Sequence, residues 1–167
     1  VLFRSRYDRF STPAGTFQVA VDDEGSVVAT TFGERFPARQ VPSDARRDAS
    51  ACRDAREQIL AYFEGARRDF TLPLAAVGTA FQHRVWQALR AIPWGETRTY
   101  GQIAAACGNP KASRAIGRAN ATNPICVVVP CHRVIGADGS LTGFAYGEDL
   151  KRLLLKHEGV ALTSRSR

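Results

Sequence analysis

The sequence predicts an α/β protein in two parts: a small antiparallel sheet with one covering helix, then a mainly helical part holding a helix-turn-helix unit. Three observations carry this. Short β-branched and aromatic runs between turn residues fill the first part, helical periodicity takes over after them, and the charge balance changes near residue 77. The 167 residues, 44% hydrophobic and 23% charged, have ordinary globular composition. A chain of this length buries roughly 70% of the surface it exposes when unfolded, so it needs no disulfide or metal staple.

Tyr7–Phe10, Thr16–Val21 and Ser26–Thr31 read as strands, separated by Thr12-Pro13-Ala14-Gly15 and Asp22-Asp23-Glu24-Gly25, both turn chemistry. From Ser43 to Glu64 the apolar residues Cys52, Ala55, Ile59, Tyr62 and Phe63 recur at helical spacing, with Ser43 as the expected cap and Gly65 as the stop. That helix should cover the sheet. The boundary falls after residue 77, giving parts 1–77 and 78–167.

Thr79-Ala80-Phe81-Gln82 opens the second part as a capping box, and Phe81, Val85, Ala88, Leu89 and Ile92 share one helical face. Pro93-Trp94-Gly95 ends that helix. Tyr100–Cys107 reads as a short helix broken by Gly108, and Asn109-Pro110 as the cap and first-turn proline of a helix over about Lys111–Ala121. Ala112, Ala115, Ile116 and Ala119 face one way on it, and the basic Lys111, Arg114 and Arg118 another. Gly117, costly in a helix interior, points to a close backbone approach. Ile125–Val129 reads as a buried strand cut off by Pro130. A turn follows at Gly136–Gly139, then a loop at Thr142–Gly147. The last helix, Glu148–Glu158, should pack Leu150, Leu153 and Leu154 inward and stop at Gly159. Thr163–Arg167 is expected to fray.

Residues 1–74 hold 11 Arg against 11 Asp/Glu, whereas residues 75–167 hold 12 Lys/Arg against 5 Asp/Glu, so the whole net charge of +7 sits in the second part. A surface of that kind favours phosphate backbones. Nothing approaches the ~18 apolar residues of a membrane span, and Val1–Arg6 lacks the apolar run of a secretory signal, so a cytosolic protein without membrane attachment is expected.

The four cysteines, Cys52, Cys107, Cys126 and Cys131, show no CxxC spacing and no accompanying histidine cluster, which argues against both zinc and disulfides. Cys131 differs from the rest: it follows Pro130, precedes His132 and lies in basic surroundings, conditions that favour a reactive thiolate. In a regular strand His132 would point away from Cys131, so it could act only across a turn or through a bridging water. Glu158 is the candidate carboxylate to orient the imidazole. From these residues alone, thiol chemistry and a coincidental Cys-His pair both stay open.

Val129-Pro130-Cys131-His132-Arg133-Val134 resembles the active-site signature of the O6-alkylguanine-DNA alkyltransferases, the methylated-DNA–protein-cysteine methyltransferases. Tyr100-Gly101-Gln102-Ile103-Ala104, Gly108–Ala112 with Arg114-Ala115, Asn123-Pro124 and His157-Glu158-Gly159 extend the likeness over roughly residues 78–160. The resemblance implies a ribonuclease H-like first domain and a winged-helix-like helix-turn-helix DNA-binding unit in the second. It implies repair of O6-methylguanine, with O4-methylthymine as a further substrate, by irreversible, stoichiometric alkyl transfer to Cys131 without cofactor or metal.

In that likeness His132 is the base, acting through a water, and Glu158 holds its ring. Asn123 is the hinge asparagine, and Tyr100 the phenol that meets a ring nitrogen of the flipped base. An alkyl group at guanine O6 lies inside the duplex, so the base must be extruded. Arg114 resembles the finger residue that fills the gap. Ala115 and Gly117 are small enough to let the helix enter the minor groove of double-stranded DNA, with Lys111 and Arg118 beside them. Pro130, Val134, Phe144 and Ala145 would line the substrate pocket. Phe144 departs from the tyrosine of many relatives, keeping the aromatic wall and losing a hydroxyl. The expected state is a monomer, with cooperative clustering along DNA open. Two rival readings stand beside it: a lesion-flagging binding protein, which Cys131 argues against, and a thiol hydrolase, which would leave the basic helix-turn-helix idle.

Overall fold

The computed structural model describes residues 5–36 and 40–162, so the expected frayed end at Thr163–Arg167 and the start Val1–Arg4 lie outside the described residues. Two compact units emerge, one of residues 1–77 with 124–126 and one of residues 78–123 with 127–167.

In the first unit β1 (Arg6–Thr12), β2 (Gly15–Val21) and β3 (Val27–Phe32) form the expected antiparallel meander. A two-residue strand, β4 (Arg46–Arg47), adds in parallel to β1 and gives the order β3-β2-β1-β4. That strand corrects the expected helix. α1 spans Arg53–Phe63 and starts after Cys52, not at Ser43. The reason is local: Arg46 N bonds Ser5 O and Asp48 N bonds Tyr7 O, while Asp48 Oδ1 accepts Ala51 N at 3.0 Å, so the backbone is committed to the sheet and a turn. The apolar face of α1 is as read, with Ala55, Ile59, Tyr62 and Phe63 buried and the ring of Phe63 edge-on to that of Phe17. Burying an Ile or Phe of this kind contributes about 1.5–3 kcal/mol each. Asp8, also buried, is held by Arg47 at 3.2 Å and Arg56 at 2.7 Å.

Ile125–Val129 is buried as expected but is no strand. Pro124 and Pro130 donate no backbone hydrogen, Ile125 makes one bridge to Thr30, and the chain turns at Val127, whose φ is 72°. For a β-branched residue that conformation costs on the order of 1–3 kcal/mol. Within the first unit Thr30 Oγ1 donates to Cys126 O at 2.8 Å, and Thr30 N to Pro124 O at 2.9 Å, which fixes residues 124–126 as an added edge on β3.

The second unit is built from α2 (Ala80–Arg90), α3 (Tyr100–Ala106), α4 (Ser113–Ala121) and α5 (Glu148–His157), with a small parallel pair, β5 (Arg98–Thr99) and β6 (Val134–Ile135). Thr79 and Gln82 form the expected capping box, and Thr99 with Gln102 forms another at α3. The α2 face needs one addition: Trp86 is buried and its Nε1 donates to Ala119 O at 2.9 Å, tying α2 to α4. α4 starts at Ser113, later than expected, because Asn109 Oδ1 accepts Lys111 N at 3.3 Å and Asn109 O accepts Ala112 N at 3.0 Å, a separate turn that leaves Lys111 outside the helix. Ile116, Ala119 and Asn120 are its buried residues, whereas Ala112 and Ala115 are half-buried. In α5 the inward residues are Lys151, Leu154 and Leu155, and Leu153 is exposed. The helix is rotated from the expected setting because Lys151 Nζ reaches inward to backbone carbonyls.

Candidate active site

Cys131–Arg133 form a single 3-10 turn directly after Pro130. The strand geometry that would have separated Cys131 from His132 is therefore absent. Arg133 N bonds Pro130 O at 3.0 Å and Cys131 N bonds Val129 O at 2.8 Å, so the turn is closed by its own backbone. It is gripped from the end of α4: Asn123 Nδ2 donates to Val129 O at 2.8 Å, and Asn120 Nδ2 to Cys131 O at 3.3 Å.

Cys131 is 5% exposed. Burial pushes its thiol up, opposed by a hydrogen bond from Asn123, the charge of Lys151 and the backbone N–H groups of Cys131 and His132. At neutral pH the resting sulfur is thus a thiol, and a base must take its proton before it attacks.

His132 is fully buried, with Nε2 2.7 Å from Glu158 Oε2. The same carboxylate receives Arg133 Nε at 2.7 Å and Arg133 Nη2 at 3.1 Å, while Arg133 Nη1 donates to Ile92 O at 2.6 Å. Burial alone would raise the Glu158 carboxyl, but the hydrogen bond from His132 and the pairing with Arg133 outweigh it and hold it at about 2. Burial also pushes the imidazolium of His132 down, against the pull of Glu158, so the ring is neutral at pH 7. An ionised carboxylate only accepts, so the single ring proton sits on Nε2 and Nδ1 is left as an acceptor. Nδ1 is buried and has no hydrogen-bond partner among the described residues. A neutral imidazole with an open acceptor beside a thiol in need of deprotonation is the chemical content of the site.

Tyr100 begins α3, and its hydroxyl donates to Thr142 O at 3.1 Å. Burial raises its phenol, with a further push from Cys131, which places the two in the same electrostatic neighbourhood. Lys151 Nζ donates to Val134 O and, at 3.3 Å, to Thr142 O. Burial brings this lysine down to about 8. Of the expected pocket residues, Pro130, Val134 and Phe144 are buried and Ala145 is exposed. Arg114 and Arg118 are exposed one turn apart on α4, Lys111 is exposed in the preceding turn, and Ala115 and Gly117 are half-buried. A Cβ on Gly117 would meet only Tyr100 Cε1, at 4.0 Å, so no tight packing explains that glycine.

Sequence reasoning missed Arg133, Lys151 and Asn120. The last two carried a signal: each is a polar residue on the apolar face of its helix, Asn120 with Ile116 and Ala119, Lys151 with Leu154 and Leu155. Arg133 carried none, since a basic residue beside a Cys-His pair reads as surface charge until its carboxylate partner, 25 residues away, is placed.

Residues 5–76 match the family model for the 6-O-methylguanine DNA methyltransferase ribonuclease-like domain, and residues 80–160 that for the DNA binding domain. The chain is 50% identical over 153 residues to the methylated-DNA--protein-cysteine methyltransferase of Methanosarcina acetivorans, covering 92% of this chain and 97% of the relative. It is likewise 50% identical over 109 residues to the constitutive methylated-DNA--protein-cysteine methyltransferase of Bacillus subtilis, covering 65% of this chain and 66% of that one. Mycobacterium tuberculosis OGT, solved in complex with DNA, superposes with a TM-score of 0.84 at 42% identity, with 92% of each chain covered. Matched by family models in both of its parts, and half-identical to a relative along nearly that relative's whole length, the chain belongs to the 6-O-methylguanine DNA methyltransferase family.

Proposed function

We propose that this protein repairs O6-alkylguanine in double-stranded DNA by moving the alkyl group to Cys131. The supporting observation is the buried turn that joins the thiol of Cys131 to a neutral imidazole fixed by Glu158, at the end of a segment held by a helix with an exposed basic face. His132 Nδ1 takes the thiol proton by way of a bridging water. The sulfur then attacks the alkyl carbon, a carbon–sulfur bond forms, the carbon–O6 bond breaks, and the electron pair leaves on guanine. Tyr100 offers its hydroxyl to a ring nitrogen of the departing base, so guanine need not leave as a bare anion. The product thioether is not reversed, and each molecule acts once. No cofactor takes part.

Asn123 ties α4 to the acceptor segment. Arg114 enters the base stack where the guanine is flipped out, Ala115 and Gly117 allow a close approach in the minor groove, and Lys111 and Arg118 contact phosphates. Pro130, Val134, Phe144 and Ala145 bound the alkyl group and the flipped base. O6-methylguanine is the principal substrate and O4-methylthymine a further one. The protein works as a cytoplasmic monomer, and among the described residues no helix is long and apolar enough to cross a membrane.

The test is intact and peptide mass after mixing the protein with excess duplex carrying one O6-methylguanine. One added methyl on the Cys131 peptide, with stoichiometric repair that then stops, is expected. An unmodified protein that binds the lesion would make it a sensor, and continued turnover on a model ester would make it a hydrolase.

A further inference from the structure

α4 and the residues just past its end reach the acceptor segment with two asparagines rather than one. Asn123 holds Val129 O, before Pro130, and Asn120 holds Cys131 O, after it. Asn120 is only 2% exposed, and its Oδ1 is buried with no hydrogen-bond partner among the described residues. A leucine of similar size would avoid that unpaired acceptor, so packing does not account for an asparagine here. The bond it does make, at 3.3 Å, falls on a particular carbonyl. Cys131 O belongs to the peptide group whose N–H is that of His132, one of the donors facing the Cys131 sulfur. A donor on one end of a peptide plane fixes the plane and polarises it, which strengthens the N–H at the other end.

We propose that Asn120 is a positioning residue that holds the Cys131–His132 peptide with its N–H toward the sulfur and so stabilises the thiolate formed during alkyl transfer. The inference rests on reading Cys131 as the alkyl acceptor. It gives the basic helix a second grip on the reacting group, through the backbone instead of the side chain. Two other titratable groups also face this sulfur, Lys151 from α5 and Tyr100 from α3, and the His132–Glu158–Arg133 cluster adjoins it along the chain. None of them donates to the Cys131 carbonyl, which receives Asn120 Nδ2 from the helix and, at the close of the 3-10 turn, the backbone N–H of Val134.

The experiment uses the full chain and two near-isosteric variants, Asn120→Leu and Asn120→Asp, each lacking the side-chain N–H donor. Thermal midpoints come first, then the rate of Cys131 carbamidomethylation by iodoacetamide from pH 5 upward until the rates of the parent and of both variants level off, read on the Cys131 peptide by mass so that Cys107 does not interfere. In parallel, single-turnover methyl transfer from an O6-methylguanine duplex is followed at each pH. Both variants are expected to fold and to react about tenfold more slowly at pH 7, the size of a one-unit shift. They should converge with the parent within about twofold where the thiol is fully ionised. Superimposed pH profiles would overturn the proposal, as would a loss of rate by the same factor at every pH, or failure of both variants to fold, which would make Asn120 purely structural. If the parent itself takes no methyl from DNA, the alkyl-transfer reading fails, while the iodoacetamide profiles still decide the role of Asn120.

Discussion

Arg133 and His132 share one carboxylate: Glu158 Oε2 lies 2.7 Å from His132 Nε2 and 3.1 Å from Arg133 Nη2, and Glu158 Oε1 lies 2.7 Å from Arg133 Nε. All three groups are buried, so the arrangement is costly to form and more costly to break in part. The guanidinium keeps Glu158 ionised, the ionised Glu158 keeps the proton on Nε2, and the tautomer leaves Nδ1 as an acceptor. Arg133→Met should therefore act on both stability and rate. It leaves a buried carboxylate half-compensated, an expected loss of about 3–5 kcal/mol in urea unfolding. Glu158→Gln leaves Arg133 unpaired instead, and removes the fixed tautomer, so methyl transfer should fall by about 10²-fold or more. Unchanged transfer by the folded Glu158→Gln variant would remove His132 from the base role.

The same cluster sets the acid limit of the fold. Glu158 titrates at about 2 in the folded state, below its unfolded value, so its stabilisation is fully present above the ordinary carboxylate range and is lost as pH falls toward 2. A shift of that size corresponds to about 3 kcal/mol. His132 is also depressed, so the unfolded chain takes up its proton first and stability begins to decline below about 6.5. Both effects have one sign. Unfolding free energy measured between pH 7 and 3 should fall steadily, and Glu158→Gln should flatten the lower part of that curve.

How much of this was legible in the sequence depends on where each partner lies. The capping box at Thr79, the buried face of α1 and the meander are local patterns, and they formed as read. Ser43 failed as a cap because the backbone after it pairs with β1, a contact that no local window contains. Ile125–Val129 failed as a strand because two prolines and the turn at Val127 leave too few pairing groups, although its burial was evident from composition. At the site, Cys131 stood out by its neighbours, and Glu158 as the carboxylate to orient His132, a pairing the resemblance also implied. The roles of Arg133 and Lys151 depend on long-range partners and became visible only with the fold.

Lys151 is the second buried cation of the site, and its charge is present below about pH 8. Its ammonium group bonds Val134 O and Thr142 O, and it favours the thiolate of Cys131. Lys151→Met keeps the volume and removes the charge. Stability should change little in net, since the loss of bonds to two carbonyls is offset by relief of a buried ammonium. The Cys131 thiol should titrate higher, and methyl transfer at pH 7 should slow by about tenfold. A pH–rate profile identical to the parent's would remove Lys151 from the electrostatics of the sulfur.

Gly143 is required twice over. Its φ is +84°, and a Cβ there would stand 2.5 Å from Tyr100 Oη. The backbone conformation alone costs a side chain about 1–2 kcal/mol. Gly143→Ala should lower the thermal midpoint and also force Tyr100 off Thr142 O, so that transfer slows beyond what the stability loss explains. Tyr100→Phe in the same background separates the two effects: if the phenol matters only through its position, the double variant should be no slower than Gly143→Ala alone.

Arg114 is exposed on α4 one turn before Arg118, and no hydrogen bond or ion pair of its own side chain within the protein explains it among the described residues. If it fills the stack left by a flipped guanine, its contribution exists only on duplex. Arg114→Ala should slow repair of duplex O6-methylguanine by about tenfold or more, as part of the few kcal/mol of unstacking is left uncompensated. Reaction with the free modified base, which needs no flipping, should change by less than about twofold. Arg118→Ala, as a phosphate contact, should instead weaken duplex binding uniformly and reduce its salt dependence by about one charge. Equal slowing of duplex and free base by Arg114→Ala would take the residue out of the stack and leave it as one more phosphate contact.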